Sequence, residues 1–331
     1  MAVRFPLESL CGYVAPGAMA RRAAVACLLV AGALAVPAHA VGPGKDGPIV
    51  YDNFSPDSAS DDVFVTHADG GDVTDLTSSS EADDIDPAIS PNGRQIAFLS
   101  DRGGAATNFV YVMNADGTGV RKLGGGGFEQ ASPTWSPDGK KIAFSRCSHE
   151  QEGGGQCTSA QIATISPNGH NLKVLTKRAT TVTVDADPTW SPNGKTIVFQ
   201  RRADFGYVTL WSITADGKKL KRLLDDQSQL DHSPSFSPSG KQVVYATDTD
   251  GNESLYLINA SGGNVHKLLD EVTDPDDPGA QGEGAESPAF APSGHRIVYV
   301  ASGDLWVVGL DGANPTQLTQ DGGDHPDWGR G

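Results

Sequence analysis

Apolar residues recur along this chain in short blocks: Ile96-Ala97-Phe98, Ile142-Ala143-Phe144, Ile197-Val198-Phe199, Val243-Val244-Tyr245 and Ile297-Val298-Tyr299. Ahead of each block stand a Pro, an Ile or aromatic residue two positions on, then Ser-Pro-x-Gly (Ala-Pro-Ser-Gly in the last) and a basic residue. Pro fixes φ at the start of a turn and Gly accepts the positive φ that ends it, so each copy predicts a tight hairpin between two short strands. A shortened copy, DHPDWGRG, begins at Asp324. Behind each block lies a third strand, with Phe64, Tyr111, Ala163, Trp211, Tyr256 and Trp306 at matching places. One residue further along, on the opposite face, stand Val65, Val112, Thr164, Ser212, Leu257 and Val307. Largely apolar positions on both faces predict strands covered on both sides. A second turn (NADG at 114–117, TADG at 214–217) and a short fourth strand (VRKL, LKRLL) complete each unit.

Four antiparallel strands repeated six times, with no helical period, predict an all-β fold. Pro-to-Pro spacings of 46, 55, 46, 54 and 38 residues suit propeller blades with loops of variable length. PIVYDN from Pro48 is a second-strand pattern without a first strand, and HPDW from His325 is a first strand without a second. Joining them predicts a six-bladed β-propeller, four antiparallel strands per blade, whose ring is closed by the C-terminal strand pairing with the N-terminal blade.

The PxWSPDGKxIAF…YxMNADGxxxxxL pattern resembles the TolB-type six-bladed propeller, also called the WD-like propeller repeat, over residues 47–331. The resemblance implies the fold and a TolB-like role in an envelope complex, and the reading adopted is a binding scaffold acting through its channel mouth and loops. TolB proper carries an α/β domain ahead of its propeller, whereas few residues here separate Ala40 from the first strand, so the propeller alone is expected.

Residues 1–40 read as a signal peptide: Arg21-Arg22, an apolar run and an Ala-His-Ala end, with Met19 an alternative start. The propeller is then 41–331, secreted or periplasmic, with no stable membrane insertion after cleavage. Cys147 and Cys157 remain, and an oxidising compartment predicts a disulfide between them. A metal site using both cysteines with His149 lacks a fourth ligand nearby.

The net charge is −16. The first forty residues carry three arginines and one glutamate, so the remainder stands at −18. On average such a surface repels nucleic acid and anionic lipid, and attracts cationic peptides or metal ions. Acidic residues gather ahead of the repeat prolines, where each unit leads into the next. Asp86, Asp187, Asp231, His232, Glu286 and His325 are the candidate metal-binding rim of an axial channel.

Two readings of that rim stand side by side: a mouth for Ca²⁺ or a Lys/Arg-bearing partner segment, and solvated loops that merely close strand ends. His232 and His325 read as matching positions, able to hold a transition metal or to hydrogen-bond their own loops. Some propeller lyases acting on pectin fragments use a His-rich, Mn²⁺-binding channel, so a metal-dependent polysaccharide lyase is the alternative to a scaffold, followed by a purely structural envelope protein. No nucleophile elbow or zinc-protease motif is present, and no catalytic residue is assigned. The partner expected is a protein or peptide, the chain itself a monomer, and Ca²⁺ the one cofactor candidate.

Overall fold

The computed structural model describes residues 44–104, 107–124, 129–150, 157–177, 183–202, 206–224, 230–248, 253–269 and 284–331. The expected signal peptide, and residues 270–283 between the fourth and fifth units, lie outside the described residues. The described chain is all β-strand and turn, and no helix in it is long and apolar enough to cross a membrane.

The strands pair antiparallel in fours, as the repeat predicts, and parallel bridges between Ala160 and Val184 and between Val208 and Leu230 join three of the units into one twelve-stranded sheet. The first contiguous unit is β4 (Asp84–Ile89), β5 (Gln95–Ser100), β6 (Phe109–Asn114) and β7 (Arg121–Lys122). The second is β8 (Gln130–Trp135), β9 (Ile142–Glu150), β10 (Cys157–Ile165) and β11 (Lys173–Val174). The third is β12 (Val184–Trp190), β13 (Thr196–Arg202), β14 (Val208–Thr214) and β15 (Lys221–Arg222). β16 (Leu230–Phe236), β17 (Gln242–Asp248), β18 (Glu253–Asn259) and β19 (His266–Leu269) form the fourth. β20 (Glu286–Phe290), β21 (Arg296–Ala301), β22 (Asp304–Gly309) and β23 (Thr316–Gln317) form the fifth.

The remaining unit joins the two ends of the chain. β24 (Asp324–Arg330) pairs antiparallel with β1 (Asp46–Ser55), Trp328 opposite Ile49, and β1 continues to β2 (Ser60–Thr66) and β3 (Thr74–Asp75). Trp328 is fully buried and its indole N–H donates to the Gly47 carbonyl at 3.0 Å. This pairing was legible from the unpartnered PIVYDN and HPDW.

Neighbouring units touch through their first strands, in the cycle β4, β8, β12, β16, β20, β24 and back to β4. A second cycle runs through the glycines of the third-to-fourth-strand turns. Gly117 is left-handed (φ 81°), and a Cβ there would lie 2.7 Å from the Leu76 carbonyl oxygen of the preceding unit. Gly70, at φ 82°, meets the Leu318 carbonyl oxygen, just after β23 of the fifth unit, in the same way, at 2.6 Å. The turn glycine thus serves twice, for a conformation L-residues avoid and for close approach between units. Between units the aromatics of the repeat form the core: Trp135, Trp190 and Phe236 are buried in clusters spanning two or more units. Cys147 and Cys157 form the expected disulfide, on the β9–β10 hairpin. Of that hairpin's insertion, residues 151–156 lie outside the described residues.

Candidate cation site among the inner strands

Each first strand carries the same irregularity. The residue before the repeat proline has left-handed φ: Asp86 (53°), Ser132 (50°), Asp187 (51°), Ser233 (51°), Ser287 (59°) and His325 (49°). The ladder register shifts at each of these places, between Ile85 and Ala88 for example, as at a β-bulge. Steric conflict with the proline ring already narrows the choices of the preceding residue, and a bulge re-aims its side chain. Six buried polar side chains are presented this way.

They link from unit to unit. The Ser132 hydroxyl donates to Asp187 Oδ1 at 2.7 Å, and the Ser132 amide lies 3.3 Å from Asp86 Oδ2. The Asp86 amide donates to Asp52 Oδ1 at 3.0 Å. His325 Nδ1 donates to the same Asp52 oxygen at 2.7 Å and stands 3.3 Å from Asp86 Oδ1. One ligand atom from each of Asp52, Asp86 and His325 falls within 4.8 Å of the others, and all three residues are buried. Asp86 Oδ1 and Asp187 Oδ2 are buried and accept no hydrogen bond, the one Nδ1 proton of His325 being directed to Asp52.

Burial dominates the electrostatics. It pushes Asp52 up to about 7, against the pull of His325, and raises Asp86 despite the same imidazole. Asp187 stands well above the usual carboxylate range because burial outweighs the Ser132 hydrogen bond. Burial opposes the imidazolium of His325, but the carboxylates of Asp324, Asp52 and Asp86 outweigh it and hold its pKa well above the ordinary value. Three carboxylates therefore face one imidazole, and burial favours the protonated form of each carboxyl group.

The other candidates lie elsewhere. His232 does not match His325: it stands one position earlier, in register with Ile85, Ala131 and Glu286, because Ser233 and not His232 precedes its proline. Its Nδ1 meets its own loop at Ser233 Oγ (3.0 Å), as expected, while Nε2 meets Glu253 Oε1 (3.1 Å) on β18. His325, contrary to expectation, bonds strands β1 and β4. Burial and the charge of Glu253, with which it shares a hydrogen bond, push Glu286 well above the ordinary range; His232 holds Glu253 below that range despite burial. Asp231 takes the place that Asp84 and Asp185 occupy in other units, opposite Thr247, and does not join Asp86 and His325. Asp84 is ion-paired with Arg102, and Asp185 with Arg201 at 2.5 Å.

The solvated-loop reading is corrected for Asp86, Asp187, Asp231, His232 and His325, all of them buried. Sequence reasoning missed Asp52, Ser132 and Glu253. Aligning the repeats on the residue before proline finds Ser132. A carboxylate at the second-strand position where other units have Leu99, Ala246 or Val300 is the signal for Asp52.

Repeated four-stranded units with a polar, acidic set on their inner strands define a propeller-type binding fold. Residues 53–232, more than half of the chain, match the TolB beta propeller domain model, and the chain belongs to that family. An uncharacterised protein of Agrobacterium fabrum is 27% identical over 65% of this chain and 69% of its own length. The chain spans only 21%, 25% and 36% of three further curated relatives. Among solved structures, TolB from Acinetobacter baumannii superposes with a TM-score of 0.65 at 21% identity, over 85% of this chain and 66% of that one. An oligogalacturonate lyase in complex with manganese superposes at 0.57 and 10% identity, over 87% and 78%. At these identities the superpositions speak for the fold alone.

Proposed function

We propose that this chain is a binding scaffold of the cell envelope, a closed six-bladed propeller whose inner acidic set receives a cationic group. The observation that carries this reading is the pair of buried carboxylate oxygens on Asp86 and Asp187 that accept no hydrogen bond, beside Asp52 and His325. An uncompensated buried carboxylate costs several kcal/mol unless it is protonated or paired, so the unligated site keeps protons that a cation would replace. The Asp52 and Asp86 oxygens, within 4.8 Å of one another, suit oxygen–Ca²⁺ distances of about 2.3–2.6 Å around a shared centre. A lysine or arginine of a partner segment offers the same charge. The two cycles of contact between neighbouring units support closure of the ring, and family membership supports the envelope location.

The lyase reading has less support. His325 joins the carboxylates, but His232 is turned to Glu253, so the histidine-rich channel that analogy called for is not assembled by these two residues. Calorimetric titration with Ca²⁺ at pH 8 tests the proposal. Saturable binding is expected, lowered at least about tenfold in Asp86→Asn/Asp187→Asn, because charge and ligand oxygens are both lost. Equal binding by the double variant would sink it.

A further inference from the structure

The net charge of −16 averages over two unlike ends of the fold. Antiparallel pairing puts the first-to-second and third-to-fourth turns of every unit at one end, and the inner carboxylates near the other. In the units β8–β11, β12–β15 and β16–β19, the turn end carries eight lysines: Lys140, Lys141, Lys173, Lys195, Lys218, Lys219, Lys221 and Lys241. It carries two acids, Asp138 and Asp216, ion-paired with Lys140 and Lys218. The opposite end of the same units holds Glu129, Asp185, Asp187, Asp231, Asp248 and Glu253. A seven-residue strand such as Val208–Thr214 separates the ends by about 20 Å, more than two Debye lengths of about 8 Å at physiological salt. A charged surface approaching the turns therefore meets the lysines with the acidic end largely screened.

This rim is held in place and is not purely polar. Lys173 Nζ donates to the Asp216 carbonyl at 2.9 Å and Lys221 Nζ to the Ser261 carbonyl at 2.6 Å, so lysines bridge one turn to the next. Exposed aliphatic side chains interleave with them: Leu172 and Val174 flank Lys173, Leu220 precedes Lys221, and Val265 stands in the following turn, each 41–46% exposed. At the corresponding places β7 has Val120-Arg121-Lys122, which continues the pattern, whereas β3 has Val73-Thr74-Asp75 and β23 has Pro315-Thr316-Gln317, which carry no lysine or arginine. Lysine alone guards sheet edges. Lysine with exposed aliphatics on turns that face one way is the pattern of a peripheral membrane contact, in which charge draws the protein to anionic lipid and short apolar groups enter the interface.

We propose that this turn rim docks on an anionic lipid surface, leaving the acidic end free for its own ligand. The test is co-sedimentation of the purified protein with vesicles of phosphatidylglycerol and phosphatidylcholine, against phosphatidylcholine alone, at low and high salt. Binding is expected to the anionic vesicles only and to fall with salt. Lys218→Glu/Lys219→Glu is expected to weaken it at least about tenfold, with Leu220→Ser a smaller loss. The melting temperature of each variant, measured in parallel, verifies that the fold is retained. Equal binding to neutral vesicles, anionic binding unmoved by the double variant, or sedimentation without vesicles through contact with a second copy's acidic end would each overturn it.

Discussion

The unit made of β24 and β1–β3 and the unit β12–β15 share strand order, bulge and buried tryptophan, yet they are held differently. In β12–β15 one continuous chain runs from Asp187 and Trp190 through all four strands. In the other unit no covalent link joins the inner strand to the rest, and His325 takes the bulge position where β12 has an aspartate. That histidine ties β24 to Asp52 of β1 and stands beside Asp86 of β4. The seam and the candidate site are therefore one place. A ligand that competes for Asp52 and Asp86 acts on the contact that holds the last strand.

The largest test of that difference is removal of residues 324–331. It deletes an inner strand and a fully buried Trp328, and loss of the cooperative melt is expected where a free tail would change little. Next in size are Trp328→Ala and Trp190→Ala, each expected to cost about 3–5 kcal/mol by denaturant unfolding. Near-equal losses would mean the seam packs as firmly as a continuous unit; a much smaller loss at Trp328 would break the comparison. His325→Asn leaves Asp52 and Asp86 without their cation and is expected to cost about 3 kcal/mol at pH 7. His232→Asn should cost less, since its partner Glu253 is about a third exposed.

A smaller effect follows from pH. Burial raises Asp52 to about 7 and Asp327 to about 8, and raises Asp86, Asp187 and Glu286 as well. Each of these groups, like His325 with its raised pKa, holds its proton more tightly folded than unfolded. The carboxylates contribute fully below their unfolded range of about 4 and His325 below about 6.5, and each contribution is lost as pH rises through the folded value, so the melting temperature should fall from pH 5 to pH 8. Asp327→Asn keeps a carbonyl to accept the Ile89 amide, which the aspartate does at 2.7 Å, and removes one contributor. It is expected to raise stability by about 1 kcal/mol at pH 8 and to change little at pH 5.

Much of this was legible in the sequence because its causes are local and repeated. Ser-Pro-x-Gly specifies a turn wherever it occurs, and the unpartnered PIVYDN and HPDW predicted the β1–β24 pairing. The candidate site was only half legible. The prolines pointed to Asp86, Asp187 and His325. Aligned on the residue before each proline, His232 falls one place earlier than His325, and Ser132 joins the set. Asp52 lies on a second strand, and its approach to Asp86 depends on packing between units, which no local pattern encodes.

The central claim, that the inner carboxylates await a cation, is met most directly by a thermal melt at pH 8 in EDTA and then with Ca²⁺ restored, for the wild type and Asp86→Asn/Asp187→Asn. A ligand that binds the folded state raises its melting temperature, and competition with bound protons makes the rise larger at pH 8 than at pH 5. A Ca²⁺-dependent rise in the wild type, lost in the double variant, is the predicted result. The same rise in both proteins, or none in either, would contradict it.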